Sequence, residues 1–142
     1  MIEHVTTFDP TLVAPIQQLL DQLTKQPINF GEEQLQTLVE SENSHLFVLR
    51  EQEQMVGMLT IGSYLSPTGC KAWVEDVVVD KEHRGKEYGR ELINHAIRFC
   101  EESLAPCTLM LTSNPMRVAA NALYRSSGFE PKHTNVYKYD CL

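Results

Sequence analysis

The 142-residue sequence predicts a mixed α/β (α+β) fold, in which one central β-sheet is flanked by about four helices. The run Lys71–Val79 is apolar and rich in β-branched residues, as expected of a long central strand. A glycine-bearing turn and a helical stripe of apolar residues follow this run. Before it, Leu46–Leu49 and Val56–Tyr64 have the pattern of a hairpin joined by a polar turn.

The first forty residues predict one strand and two helices. Met1–Phe8 carries Ile2, Val5 and Phe8 with threonines between them, a composition that favours a first strand. Asp9 and Pro10 are typical of a helix N-cap and first helical position, and an apolar stripe continues from there to Leu23. A second short helix is predicted over Glu32–Glu40.

The last third predicts a strand, a helix and a final strand. Thr108–Thr112 has strand composition. Asn114 is predicted as the N-cap of the next helix, with proline at the first helical position. Gly128 is a natural left-handed C-cap for that helix. We predict the final strand over Val136–Tyr139.

Composition limits the class of protein. The hydrophobic fraction of 42% and the charged fraction of 22% are ordinary for a soluble globular chain, and the length predicts a single domain over residues 1–142. No apolar run is long enough to span a membrane. The first ten residues lack the pattern of a signal peptide, so we expect a cytoplasmic protein without a membrane partner.

The net charge disfavours a nucleic-acid site, and the cysteine spacing does not indicate a metal site. The net charge of −7 disfavours nucleic acid as a partner and favours a cationic acceptor such as an amine. The four cysteines form no CxxC pair and show no metal-ligand spacing. We therefore expect no metal.

The turn after the central strand has the properties of an anion site. It leads into a helix whose first N–H groups lack intrahelical partners and whose dipole adds partial positive charge. Phosphate is the usual ligand of such turns. The sequence matches neither the P-loop nor the dinucleotide-binding pattern. The residues of the predicted anion loop are Arg84, Gly85, Lys86, Glu87, Tyr88, Gly89 and Arg90.

Two blocks resemble the GCN5-related N-acetyltransferases (GNAT family). The anion loop resembles the family's pyrophosphate loop, Arg/Gln-x-x-Gly-x-Gly/Ala, with Arg84 and Gly89 at its first and last positions. Glu87 stands where the family pattern has its first glycine, and this departure places a carboxylate near the anion. Arg117–Phe129 is similar to the family's block A-x-x-LY-x-x-x-GF. On both blocks the chain is identified as a member of the family, with the GNAT fold as its expected architecture.

The resemblance implies acetyl-CoA as the donor, and an amine of a small molecule or a protein as the acceptor. The backbone groups of Val77, Val78 and Val79 are expected to bind the pantetheine arm. Tyr124 occupies the LY position and is the candidate acid that protonates the departing thiolate. Asn121, one helical turn earlier, is a candidate cofactor contact.

Two adjacent carboxylates in the central strand are the candidates for the base. A buried charge is costly without a partner, so Glu75 and Asp76 indicate a site or a strand end that reaches solvent. Regular alternation would put Glu75 on one face of the sheet and Asp76, with Val74, on the other. A β-bulge could bring both carboxylates to one cleft. We favour Glu75 as the base, and assign Asp76 and Trp73 to acceptor binding.

Other functions remain open at this stage. The segment Trp73–Gly89 also resembles glucosamine-6-phosphate N-acetyltransferases, in which Glu-Asp likewise precedes valines. A module that binds CoA without turnover and an unrelated phosphate-binding α/β domain are two further alternatives. The sequence identifies neither the acceptor nor the oligomeric state, and a homodimer is among the possibilities.

Overall fold

Five strands form one sheet in the order β1-β2-β3-β4-β5. Adjacent strands from β1 to β4 pair antiparallel, and β5 runs parallel to β4. The computed structural model describes residues 1–142. Its strands are β1 Ile2–Val5, β2 Ser44–Glu51, β3 Gln54–Ser66, β4 Gly69–Val79 and β5 Cys107–Met110. The predicted mixed sheet is confirmed, with several strands longer than the sequence pattern indicated.

The chain forms four α-helices, the number predicted. They are α1 Val13–Leu23, α2 Glu32–Glu40, α3 Tyr88–Phe99 and α4 Val118–Ser126. A 3-10 turn, Pro10–Leu12, precedes α1, and the side chain of Asp9 caps it by accepting from the Thr11 amide at 3.0 Å. No helix has both the length and the apolar character needed to cross a bilayer.

Backbone contacts divide the chain into two compact units, Met1–Thr112 and Ser113–Leu142. The first unit holds the whole sheet and helices α1, α2 and α3. The second unit holds α4 and the C-terminal segment.

The sheet of the first unit buries apolar side chains on both faces. On one face, α1 and α2 cover a cluster of residues from β2, β3 and β4 that includes Val48, Met58 and Val78. On the other face, α3 packs against the sheet: Phe47 lies 5.1 Å from Phe99, ring centre to ring centre. This two-sided burial explains why the central strands are almost continuously apolar.

Two predictions for the second unit are wrong. The helix, predicted to begin at Pro115 with Asn114 as its N-cap, begins at Val118, because Asn114 closes a turn before it: its side-chain oxygen accepts from the Met116 amide at 2.8 Å. The predicted strand Val136–Tyr139 does not form, since no neighbouring strand pairs with it and its residues are exposed. A strand pattern needs a hydrogen-bonded partner to become a strand.

Candidate active site

A β-bulge interrupts β4 at the two carboxylates. Thr60 of β3 pairs with Glu75 and Met58 pairs with Val78, so one residue of β3 faces two residues of β4. Asp76, within the bulge, has a φ of 52°, a left-handed conformation that aspartate tolerates better than most residues. The bulge that the sequence suggested is therefore present.

The bulge reverses which residues of β4 face each side of the sheet. Directly opposite residues of paired strands share a face. Val78 pairs with Met58 and lies in the cluster under α1 and α2. Val74 pairs with Ile61 on the α3 face, so Val74 and Val78 lie on opposite faces, whereas the regular alternation expected from the sequence would place both on one face. Glu75 pairs with Thr60, on the same face as Met58.

Both strand carboxylates reach solvent. Glu75 and Asp76 are exposed, although they follow the buried Val74. Partial desolvation of Glu75, and secondarily the negative charge of Asp76, raise the pKa of the Glu75 carboxyl. A carboxylate with a raised pKa is a better proton acceptor near neutral pH, which suits a general base.

The edge of β4 is open beside the bulge. Strand β5 pairs with β4 only over Cys70–Trp73, so on this side no strand pairs with the backbone of Val74–Val79. Unpaired backbone donors and acceptors of an edge can bind an extended amide-containing ligand. This segment contains Val77, Val78 and Val79, the residues expected to bind the pantetheine arm. Trp73 lies at the last paired position, opposite Gly62 and Met110.

The anion loop joins β4 to α3 through left-handed positions. Gly85 has a φ of 84°, and no atom lies within 4 Å of a Cβ placed there. Glu87, the N-cap of α3, has a φ of 65°. This is the position where the family pattern has glycine, and the structure shows why: glycine adopts a positive φ without steric cost.

No side chain caps the N-terminus of α3. The backbone amides of Tyr88 and Gly89, in its first turn, are therefore placed to receive an anion, and the helix dipole adds to the attraction. The loop is mostly exposed. These features fit a phosphate-bearing ligand.

The charged side chains of the loop are partly engaged within the protein. Arg84 Nε donates to the carbonyl oxygen of Val79 at 3.3 Å. Arg90 Nε donates to Glu87 Oε2 at 3.1 Å, so the carboxylate that departs from the family pattern is paired with a cation. Lys86 Nζ lies 3.0 Å from Glu51 Oε1.

Two residues that the sequence analysis missed anchor this region. Glu51, at the end of β2, contacts the loop through His83 and Lys86. Gln22 of α1 accepts from the Lys81 amide at 2.9 Å. Each is more than 30 residues away along the chain from its partner, and neither belongs to a local motif. Only the folded arrangement reveals them.

The second unit carries the other two candidate residues. Tyr124 is buried, and its ring lies 6.1 Å from that of Phe129 in a T-shaped arrangement. Asn121 Nδ2 donates to the carbonyl oxygen of Asn114 at 3.0 Å and so stabilises the turn before α4. Gly128 has a φ of 106°, as predicted for a left-handed C-cap.

Two surface cavities are lined by residues of the first unit. One of about 290 Å³ is lined by residues of α1 and its preceding turn, by β2, β3 and the turn between them, including Arg50 and Glu53, and by Asp80 after β4. The other, of about 420 Å³, lies beside α3 and includes Glu91 and Arg98. Neither cavity contains Glu75. No group of histidine, cysteine or acidic residues is arranged to hold a metal ion.

Solved structures with the same fold include acetyltransferases of several kinds. A putative acetyltransferase from Agrobacterium tumefaciens str. C58 is 20% identical, with a TM-score of 0.85 and 99% of both chains covered. An aminoglycoside acetyltransferase, meta-AAC0020, from an uncultured soil metagenomic sample is 22% identical, with a TM-score of 0.84 over 100% of this chain and 95% of that one. Glucosamine-6-phosphate N-acetyltransferase from Arabidopsis thaliana is 20% identical, with a TM-score of 0.80 over 98% and 97%. At these identities the likeness shows the fold.

Sequence comparison identifies the family. No curated protein matches the chain. The family model described as Acetyltransferase (GNAT) family matches residues 16–129, which is most of the chain and includes β4, the anion loop and α4. The resemblance carried by the anion loop and the Tyr124 block is thereby confirmed, and the chain belongs to the GNAT acetyltransferase family.

Proposed function

We propose that the chain is an acetyl-CoA-dependent N-acetyltransferase that transfers the acetyl group directly to an amine of a small molecule or a protein. The observation that carries the proposal is the continuous unit of β4, anion loop and α3. In it, an open strand edge is followed, through the anion loop, by an uncapped helix N-terminus. An extended amide chain ending in a pyrophosphate is the ligand that these two features fit together.

The loop and the strand edge bind and orient the donor. Backbone groups of Val77, Val78 and Val79 receive the pantetheine amides, and the start of α3 receives the pyrophosphate. Arg84 and Arg90 add positive charge beside the amides. Holding donor and acceptor together lowers the entropic part of the barrier.

Two proton transfers accompany the acetyl transfer. The amine nitrogen forms a bond to the thioester carbonyl carbon, and the carbon–sulfur bond breaks. Glu75 accepts the proton that the nitrogen loses, directly or through a water molecule. Tyr124 donates a proton to the departing thiolate, and Asn121 contributes to donor binding. The roles of Glu75 and Tyr124 are separable by mutation.

The acceptor is proposed to be cationic before it is deprotonated. The net charge of −7 and the exposed carboxylates of Glu75 and Asp76 favour approach of an ammonium group. Trp73 and Asp76 are proposed to contact the acceptor. The amino-sugar and aminoglycoside enzymes with the same fold suggest amino sugars as the first acceptors to test, beside polyamines and peptide amines.

A thiol-release assay tests the proposal. Purified protein is incubated with acetyl-CoA and each amine of the panel, and free CoA thiol is followed over time. We expect at least one amine to increase thiol release above the hydrolysis background, with a matching acetylated product by mass spectrometry. Binding of CoA without release on any amine would instead favour the non-catalytic module.

A further inference from the structure

We propose that Glu51 is a positioning residue that holds the anion loop in its ligand-binding conformation. The inference rests on the proposed function, because it assigns Glu51 to donor binding. Glu51 lies at the end of β2, outside the family motif and more than 30 residues before the loop.

The carboxylate of Glu51 contacts the loop at several points. Its Oε2 lies 2.7 Å from His83 Nδ1, just before the loop. Both oxygens accept from Lys86 Nζ, at 3.0 and 3.2 Å, in the middle of the loop. Hydrogen bonds from Lys86 and then Tyr88 hold the pKa of Glu51 below its ordinary value, so the carboxylate is ionised at neutral pH. One side chain thus connects three residues that span the turn.

The loop needs such a connection because its own residues do not enforce its shape. Gly85 is free to adopt many conformations, and its φ of 84° is only one of them. Glu87 pays a steric cost for its left-handed conformation, which a glycine would not. The loop side chains are mostly exposed, so burial contributes little to its order. The exposed pair of Arg90 with Glu87 offsets little of this cost, so contacts from outside the loop contribute to its order.

Glu51 does not act mainly as a repulsive charge toward the anion. Its negative charge is balanced by Lys86 at hydrogen-bond distance, so the pair presents little net charge to a ligand a few ångströms further away. Removing the carboxylate would free Lys86 and also release the loop. We expect the loss of order to outweigh the gain of one mobile surface charge, which salt screens.

The test compares Glu51→Gln with Glu53→Gln in the full chain. Both variants remove one negative charge from the same hairpin, but Glu53 makes no ion pair with the loop. Hydrogen exchange of the free protein reports loop order at the amides of His83 and Glu91, which donate to the carbonyl oxygens of Asp80 and Glu87. Calorimetry with CoA reports binding, and steady-state rates separate KM from kcat.

For Glu51→Gln we expect exchange of these amides to accelerate by about twofold to fivefold, the range expected for exposed ion pairs. The Kd for CoA and the KM for acetyl-CoA should rise by a similar factor, while kcat at saturating acetyl-CoA stays the same. Glu51→Asp, which keeps the carboxylate, should restore part of the affinity. Glu53→Gln should behave as wild type.

Two results would overturn the inference. One is unchanged hydrogen exchange of these amides in Glu51→Gln, whether or not its Tm falls. The other is tighter CoA binding by the variant. If the wild-type protein does not bind CoA, the proposed function fails. In that case the exchange rates of the free protein still decide whether Glu51 orders the loop.

Discussion

Val74 and Val78, four residues apart on β4 and both buried, pack against opposite faces of the sheet. In an uninterrupted strand they would share a face. The bulge at Asp76 adds one residue and reverses the alternation, so the strand contributes to both cores. The same irregularity exposes Glu75 and Asp76 beside the open edge of β4. The irregularity of the strand and the candidate chemistry therefore have one structural cause.

The first prediction concerns the pH dependence of turnover. If Glu75 is the base, activity requires its ionised form, and its raised pKa places the acidic limb of the rate profile above the ordinary range for glutamate. Glu75→Gln should abolish that limb and lower turnover by about 10²–10⁴-fold. Asp76→Asn removes a negative charge that raises the pKa of Glu75, so this substitution should move the acidic limb to lower pH. Wild-type turnover in Glu75→Gln across acidic and neutral pH would exclude this role.

Tyr124→Phe tests the proposed acid. The substitution keeps the buried ring and its contact with Phe129 but removes the hydroxyl proton. We expect kcat to fall by about 10²–10⁴-fold, with the Kd for CoA and the Tm nearly unchanged. Tyr137→Phe, at an exposed tyrosine, is the control. A kcat within about threefold of wild type would mean that the thiolate takes its proton from elsewhere.

The departure from the family pattern at Glu87 gives a stability prediction. Glu87→Gly should raise the free energy of unfolding by about 0.5–1 kcal/mol. Glycine adopts a φ of 65° without steric strain, which stabilises the folded state. The greater backbone entropy of glycine in the unfolded chain cancels part of this stabilisation. Glu87→Ala also removes the contact with Arg90 but keeps a Cβ, so it isolates the backbone effect. Urea denaturation measures both variants. If Glu87→Gly were no more stable than Glu87→Ala, the left-handed conformation of Glu87 would not destabilise the folded protein.

Because of a cluster of histidines, we expect the folded protein to be less stable in acid. The rings of His4 and His45 lie 5.4 and 4.8 Å from that of Phe99, and His95 packs on the same face of the sheet. Burial lowers the pKa of all three histidines below 6.5, with smaller contributions from neighbouring charges at two of them. The unfolded chain therefore binds more protons than the folded one, so stability is full above pH 6.5 and decreases as the pH falls below it.

Urea midpoints at pH 7.5 and pH 5.5 measure this effect. The midpoint should be lower at pH 5.5, and His45→Phe should reduce the difference, because the Nε2 atom of His45 is buried without a hydrogen-bond partner. His133→Gln, at an exposed histidine, should leave the difference unchanged. A midpoint that does not change with pH in the wild type would refute the prediction.

Local sequence patterns predicted most of the helices and strands, because the residues of each such element have a recognisable spacing or composition. Helix α2 has the predicted bounds, Glu32–Glu40, since its apolar spacing and flanking polar loops define it. The predicted strand Val136–Tyr139 has an equally clear apolar pattern, but strand formation depends on a partner that local pattern does not supply. Asn114 was predicted as a helix N-cap because asparagine caps turns and helices by the same hydrogen bond.

The candidate site was predictable only where it is continuous in sequence. The anion loop and the Glu75–Asp76 pair each occupy one segment, so motif and composition were sufficient. The contact of Glu51 with Lys86 joins positions 35 residues apart, and no local signal marks Glu51 among the other acidic residues. Likewise, the sequence allowed a bulge in β4, but only strand pairing shows which residues it moves to each face.

The most direct test of the account is a calorimetric titration of CoA into the wild-type protein and into Gly89→Glu. Gly89 is the second residue of α3, so the substitution adds a carboxylate where the pyrophosphate is proposed to bind. Gly31→Glu, which adds the same charge at the N-terminus of α2, is the control. We predict that wild type and Gly31→Glu bind CoA and that Gly89→Glu does not bind it measurably. Equal affinity of Gly89→Glu and wild type would contradict it.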